Sequence, residues 1–268
     1  MNIQPFFPDG SPDSLEAELR NAIKGNEFVL FYQPQFNLVT STFEGIEALI
    51  RWQHPEKGLI LPDEFIDVAE KSDLIIDIGE WVLKTACLKF KIWQDQGLSP
   101  MRIAVNVSGK QFKQEKFVDY VINVLNEINL SPNCLELELS EKMIINENDH
   151  MIIQMIRQLN KLGILIALDD FGAGNSSYDY LQRIPVDRIK IDKSYIRDIH
   201  HNHLNEETVK SLIQLAAKLN LQLVAEGVET LVQLQMLLTH QCKEIQGYYF
   251  SEPLPAEQLE KFLIANRV

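Results

Sequence analysis

The sequence predicts an α/β protein folded as a TIM-like (β/α)8 barrel whose first strand runs antiparallel to the others. Three observations predict it. Eight short apolar runs with strand character punctuate the chain, and the last seven are linked by segments of helical periodicity. The first two runs, Glu27–Gln33 and Thr42–Trp52, are separated by the short loop Asn37–Ser41, where no helix fits, so they must be antiparallel neighbours. Finally, 268 residues, 46% of them hydrophobic, match the size of one barrel domain. An open doubly wound sheet is the alternative, but no Gly-x-Gly-x-x-Gly turn follows any run.

Residues 1–12 are proline-rich and read as a flexible N-terminal segment; residues 13–268 read as the domain. Asp13–Lys24 reads as a helix with Leu15, Leu19, Ala22 and Ile23 on one face and Gly25 at its end. It suits a lead-in from an upstream regulatory domain of a longer protein. After the first two strands, helices near 63–71 and 74–95 lead to the strand Arg102–Val107, and a helix near 110–128 to Cys134–Leu139. A helix near 148–161 leads to Ile164–Asp169, and weaker helical segments to Arg188–Ile191. A helix near 205–219, the strand Leu221–Ala225, the helix Thr230–His240, the strand Glu244–Gly247 and a helix near 256–265 complete the order.

A net charge of -13 and the lack of a basic stripe argue against binding polymeric nucleic acid. A phosphate ester would need cations to offset the carboxylates. No unbroken apolar run is long enough to cross a membrane, and the N-terminal residues lack the basic-then-apolar pattern of a signal peptide. Cys87, Cys134 and Cys242 are odd in number and far apart, as expected of reduced, buried thiols in a cytoplasmic protein. His200, His201 and His203 read as a solvated turn.

The apolar run from Ile164 ends in adjacent carboxylates, Asp169 and Asp170, followed by glycines. Neighbouring strand residues point to opposite faces, so both can serve one site only if Asp170 already lies on a turn. Two side-by-side anions repel, and a divalent metal between them is the simplest remedy; a helix N-cap beside a solvated turn residue is the plainer alternative. Alternation along the other runs separates an apolar face from a polar one. If the apolar faces meet the outer helices, then Glu47, Asn106, Glu138, Asp169, Lys190, Glu226 and Gln246 point inward near the strand ends. Such a set is too costly to bury unless mutually compensated. With Asp170 it forms an oxygen-rich cage for hard divalent cations rather than a histidine-rich zinc site.

At this point the chain resembles the EAL-type cyclic di-GMP phosphodiesterase domain of bacterial signalling proteins, from about Leu15 to Phe262. The resemblance is carried by Tyr-Gln-Pro at 32–34, Glu-Ala-Leu-Ile-Arg-Trp at 47–52, Pro-Asp-Glu-Phe-Ile at 62–66 and Val-Asn-Val-Ser at 105–108. It continues through Glu-Leu-Ser-Glu at 138–141, Asp-Asp-Phe-Gly-Ala-Gly at 169–174, Lys-Ile-Asp at 190–192, Ala-Glu-Gly-Val-Glu at 225–229 and Gln-Gly-Tyr at 246–248. Glu-Ala-Leu alone would be uninformative; the ordered set is specific. Three positions depart from the family pattern: Ala173 stands where threonine is frequent, Asn175 where tyrosine is, and Ser140 where threonine is common, the last keeping its hydroxyl.

The resemblance implies a barrel with an antiparallel first strand, and metal-dependent hydrolysis of cyclic di-GMP to linear pGpG. It implies that Glu47, Asn106, Glu138 and Asp169 are ligands of a first Mg2+ or Mn2+ and that Asp170 is a ligand of a second, giving two per site. By the same resemblance Glu226 acts as the general base or as the residue that holds a metal-bound water, Lys190 holds the attacking water, Gln246 stands near that water, and Gln33 and Arg51 contact substrate. Glu141 pins the loop after Asp170, Glu229 is an acid beside Glu226, and Asp192 belongs to the same supporting set. A homodimer is also implied. A module that binds cyclic di-GMP or a protein without hydrolysis is the alternative; its mark would be lost ligands, and none is lost here. A glycoside hydrolase built on Glu138 and Glu141 would leave Asn106, Asp169, Asp170 and Lys190 unexplained.

Overall fold

The sheet closes on itself through its first strand. The computed structural model describes residues 12–98, 102–145, 150–172 and 181–266. In chain order its strands are β1 (Phe28–Asn37), β2 (Thr42–His54), β3 (Gly58–Ile60), β4 (Arg102–Val107) and β5 (Leu135–Ser140). They continue as β6 (Leu165–Phe171), β7 (Arg188–Ile191), β8 (Gln222–Ala225), β9 (Glu244–Gln246) and β10 (Leu254–Pro255). The strands β2, β4, β5, β6, β7, β8 and β9 pair in parallel succession, and β1 is antiparallel to both β2 and β9. Those eight form the barrel with the reversed first strand that the short hairpin loop requires; β3 and β10 are short antiparallel additions.

Packing follows the alternation. On β5 the outward residues Leu135, Leu137 and Leu139 are wholly buried beneath helices. The helix Leu74–Asp95 buries Ile75, Ile78, Val82, Ala86, Phe90 and Trp93 at spacings of three and four, a stripe laid on β1 and β4. Trp93 meets Tyr32 of β1 edge-on at 4.8 Å. Each such aliphatic side chain contributes about 1.5–3 kcal/mol when buried. This outer shell leaves the inward-facing positions free to be polar.

Several boundaries differ from the sequence reading. β1 continues past Pro34 to Asn37, because Gln35, Phe36 and Asn37 pair with Gln246, Ile245 and Glu244 to close the barrel. The segment expected as one helix near 110–128 is two, Gly109–Phe112 and Phe117–Ile128. Ser108 caps the first, and Phe112 and Phe117, five residues apart, sit on different faces of a continuous helix; the break lets both rings pack at 5.3 Å. The segment near 63–71 divides into the turn Pro62–Glu64 and the helix Ile66–Lys71. A short helix, Glu141–Ile145, follows β5, and the next begins at His150. β6 runs on to Phe171 rather than ending at Asp169. The expectations for residues 1–11 and for Ala173 and Asn175 lie outside the described residues.

The barrel interior carries a charged layer below its mouth. Arg102 and Arg188 each bring Nε within 3.2 Å of Glu136 Oε2, and donate from Nη2 to Glu244 Oε2 at 2.7 and 2.8 Å. Two cations and two anions compensate one another, as buried charges must. Burial pushes the Glu136 carboxyl up to about 7, with Arg102 pulling it back.

The three cysteines are buried and unpaired. No helix among the described residues is long and apolar enough to cross a membrane.

Candidate active site

The parallel strands deliver their polar residues to one end. Asn106 is opposite Glu138 in the β4–β5 register, Ser140 is opposite Asp169 across β5–β6, and Gln33 is opposite Glu47 across β1–β2. Lys190 of β7 stands at the centre and is fully buried. Its Nζ lies 2.7 Å from Glu138 Oε2, 2.7 Å from Glu226 Oε1, 3.3 Å from Glu47 Oε2 and 3.6 Å from Asp169 Oδ1. Burial alone would depress the ammonium, but Asp169, Glu138, Glu226 and Glu47 together hold its pKa well above the usual lysine value.

Each carboxylate answers differently to this environment. Burial works against ionised Glu47, yet Lys190 and hydrogen bonds from Gln246 (2.5 Å) and Asn106 (2.7 Å) hold its carboxyl below the usual range. Burial and repulsion from Glu47 drive Glu138 well above that range. Burial lifts Glu226 to about 8 against the pull of Lys190. Asp170 is lifted to about 6, first by burial and then by Asp169.

Asp169 and Asp170 are brought together by a strand irregularity, not by a turn after the strand. The β6–β7 register shifts between Leu168 and Phe171, and Asp170 adopts φ +55° within the strand. The Asp170 N–H donates to Asp169 Oδ1 at 2.9 Å. Phe171, 3% exposed, anchors the far side. Gly172, at φ +97°, is gripped at both backbone groups: its N–H donates to Glu141 Oε2 at 3.0 Å and its C=O accepts from Tyr195 Oη at 2.5 Å.

This set fits a metal. Ligand oxygens of Asp169, Asp170 and Glu226 lie within 4.8 Å of one another. Glu138 Oε1 is buried with no hydrogen-bond partner, an acceptor left for a group the protein does not supply. Five carboxylates face a single lysine, and all the donors are hard oxygens suited to divalent cations. A cleft of about 430 Å³ opens beside them, reaching Asn106, Ser108, Glu138, Asp169 and Asp170. A roomier hollow of about 520 Å³ lies at the opposite end of the barrel and touches none of these groups.

Sequence reasoning placed Glu47, Asn106, Glu138, Asp169, Lys190, Glu226 and Gln246 at one site, and they meet there. Gln33 joins them by accepting from Gln246 at 3.0 Å, while its own amide donates to the Ser251 carbonyl. Arg51 sits toward the rim, half-buried, its guanidinium 5.5 Å from the Phe31 ring centroid. Asp192 caps the helix Lys193–Arg197 and faces Asp170. Glu229 is exposed on the segment after β8, and no hydrogen bond or ion pair ties its carboxylate to Glu226 among the described residues. Tyr195 went unrecognised, since a lone tyrosine carries no spacing signal. The charged layer beneath did carry one: Glu136, Arg188 and Glu244 each precede an inward site residue by two.

Fold and site together define a (β/α)8 barrel protein with an acidic, lysine-centred site at the carboxyl ends of its strands. The chain belongs to the EAL domain family, whose model matches residues 16–253. It is 42% identical over 249 residues to the signaling protein YkoW of Bacillus subtilis, covering 93% of this chain and 31% of that protein. It is 41% identical over 242 residues to the bifunctional diguanylate cyclase/cyclic di-GMP phosphodiesterase MucR of Pseudomonas aeruginosa, covering 90% of this chain and 35% of that one. The chain thus spans about a third of the length of these relatives. The solved structure described as the PaMucR phosphodiesterase in complex with c-di-GMP superposes with a TM-score of 0.88 at 41% identity, covering 92% of this chain and 99% of that one.

Proposed function

We propose that the chain hydrolyses cyclic di-GMP to linear pGpG with the help of divalent cations. The observation that carries this reading is Lys190, wholly buried among Glu47, Glu138, Asp169 and Glu226 at the barrel mouth. Its support from relatives is that the MucR structure named as a phosphodiesterase with bound c-di-GMP is matched almost end to end.

On this reading Glu47, Asn106, Glu138 and Asp169 would hold one Mg2+ or Mn2+, and Asp170 would help hold a second. Such cations lower the pKa of water and stabilise the attacking and leaving oxygens of an in-line phosphodiester displacement. The protein's own groups do the rest. Lys190 donates a hydrogen bond that positions the attacking water. Glu226 would accept its proton, its carboxylate 2.7 Å from the Lys190 ammonium that holds the water. Gln246 steadies Glu47, and Gln33 and Arg51 contact the substrate, with the Arg51 fork matched to a phosphate oxygen. Glu141 and Asp192 fix the backbone around Asp170, and Glu229 is a supporting acid. The glycoside hydrolase alternative gains nothing, because Glu141 is 1% exposed and committed to Gly172.

The reading also carries residues 13–268 as the catalytic domain, a homodimer, a cytoplasmic setting that suits three buried thiols, and regulatory input from elsewhere in a longer protein. The test is incubation of the purified chain with cyclic di-GMP, with and without Mg2+, and identification of the product. Appearance of pGpG only with the cation is expected; binding without any product would favour the non-catalytic alternative.

A further inference from the structure

Three glutamines link the charged layer to the site above it, and the sense of every hydrogen bond between them is determined. An arginine can only donate, whereas a carboxylate and a backbone carbonyl can only accept. Arg102 donates to Gln35 Oε1 at 3.4 Å, which leaves the Gln35 amide nitrogen to donate to Gln246 Oε1 at 3.0 Å. With its oxygen so occupied, Gln246 turns its nitrogen to Glu47 Oε2 at 2.5 Å and to Gln33 Oε1 at 3.0 Å. Gln33 in turn donates to the Ser251 carbonyl. Turning over any one amide would set oxygen against oxygen, or an NH2 group against a guanidinium. Arg102 is itself fixed by Glu136 and Glu244.

The place of Gln35 is built for it. Gln35 is wholly buried, and the facing residue is Gly45, where an added methyl would lie 2.4 Å from Gln35 Oε1 and 3.2 Å from Arg102 Nε.

We infer that the site of Gln35 must offer Gln246 no acceptor: oriented by Arg102, Gln35 presents its amide nitrogen there, which leaves the Gln246 NH2 group to Glu47 and so lets Glu47 serve as a ligand for the divalent cation. The inference rests on the reading of Glu47 given above.

Two substitutions separate it from a packing role. Gln35→Met removes the donor but opposes nothing, since Glu47 alone still favours the NH2 side of Gln246. Gln35→Glu accepts from Arg102 and also from Gln246, whose oxygen must then face Glu47. Through-space charge predicts the reverse, because an added anion near the site should tighten cation binding.

The experiment is calorimetric titration of the full chain with Mg2+, alongside the Mg2+-induced rise in melting temperature and cyclic di-GMP hydrolysis. For Gln35→Met, Mg2+ affinity should stay within about threefold of the parent chain. For Gln35→Glu it should fall about ten- to a hundredfold, the loss of one charge-assisted hydrogen bond. Equal losses in the two variants, or tighter binding in Gln35→Glu, would overturn the inference. If Gln35→Glu does not fold, a neutron structure of the parent chain reads the same point: deuterons of Gln246 facing Glu47 support it, and its carbonyl facing Glu47 overturns it. A parent chain that binds Mg2+ without hydrolysing cyclic di-GMP would remove the proposed activity and leave this inference standing on the titrations.

Discussion

The N–H of Gly172 donates to Glu141 Oε2 at 3.0 Å, which ties the residue two places after Asp170 to the helix that follows β5. Tyr195 holds the carbonyl of the same glycine from the other side. Asp170 lies at φ +55° and Gly172 at φ +97°, on either side of Phe171, which pairs with Ile191, and the side chains of Glu141 and Tyr195 hold the backbone just past that pairing. Tyr195→Phe removes one hydroxyl and should leave the fold intact, costing about 0.5–1.5 kcal/mol. Glu141→Ala leaves a half-buried N–H unpaired and should cost about 1–3 kcal/mol. Both should lower turnover more than they raise KM, with Glu141→Ala the more severe. Steady-state kinetics beside urea unfolding checks this; a change in KM alone would refute it.

Lys190→Met should abolish hydrolysis and also weaken the metal-free protein. The ammonium is the only cation within 4 Å of Glu138 and Glu226 among the described residues. Removing one partner of a buried ion pair typically costs about 3–5 kcal/mol. Mg2+ should restore part of that stability, since it would supply the positive charge the lysine no longer does. Urea unfolding in a chelator and then in excess Mg2+ measures both effects.

Chelation should stop hydrolysis by the parent chain, and Mg2+ or Mn2+ should restore it. Ca2+ should bind but support little turnover, because it tolerates looser coordination than Mg2+. Comparable rates with Mg2+ and Ca2+ would count against a site that depends on tight octahedral geometry.

The barrel was legible in the sequence because its period-two alternation repeats on strand after strand, and a hairpin too short for a helix left one orientation for the first strand. The site was legible because Glu47, Glu138, Lys190, Glu226 and Gln246 stand at comparable positions in those runs. What the alternation could not convey is where the backbone departs from it. Asp169 and Asp170 meet through a register shift that no local residue pattern announces. The length of β1 depended on its pairing with β9, more than two hundred residues away in sequence. The tie from Tyr195 to Gly172 depends on the short helix after β7 meeting the end of β6 in space.

Gly247 should prove intolerant of any side chain. It follows Gln246 directly, and a methyl there would lie 2.2 Å from the carbonyl oxygen and 2.3 Å from the nitrogen of Val228. Both are backbone atoms, and the Val228 N–H donates to the Gln246 carbonyl at 3.2 Å, so neither segment can yield without moving the other. Val228 lies two residues after Glu226, so Gly247→Ala strains Glu226, the proposed general base, and the glutamine beside Glu47 together. The overpacking should cost about 1–3 kcal/mol and lower turnover disproportionately. Gly58→Ala is the control: φ is +76° there, but nothing lies within 4 Å of the added methyl. It should cost no more than about 1–2 kcal/mol for the left-handed backbone and leave turnover unchanged. Thermal melts and initial rates on the pair distinguish displacement of the site from loss of backbone freedom; equal effects on turnover would show that Gly247 matters only for folding.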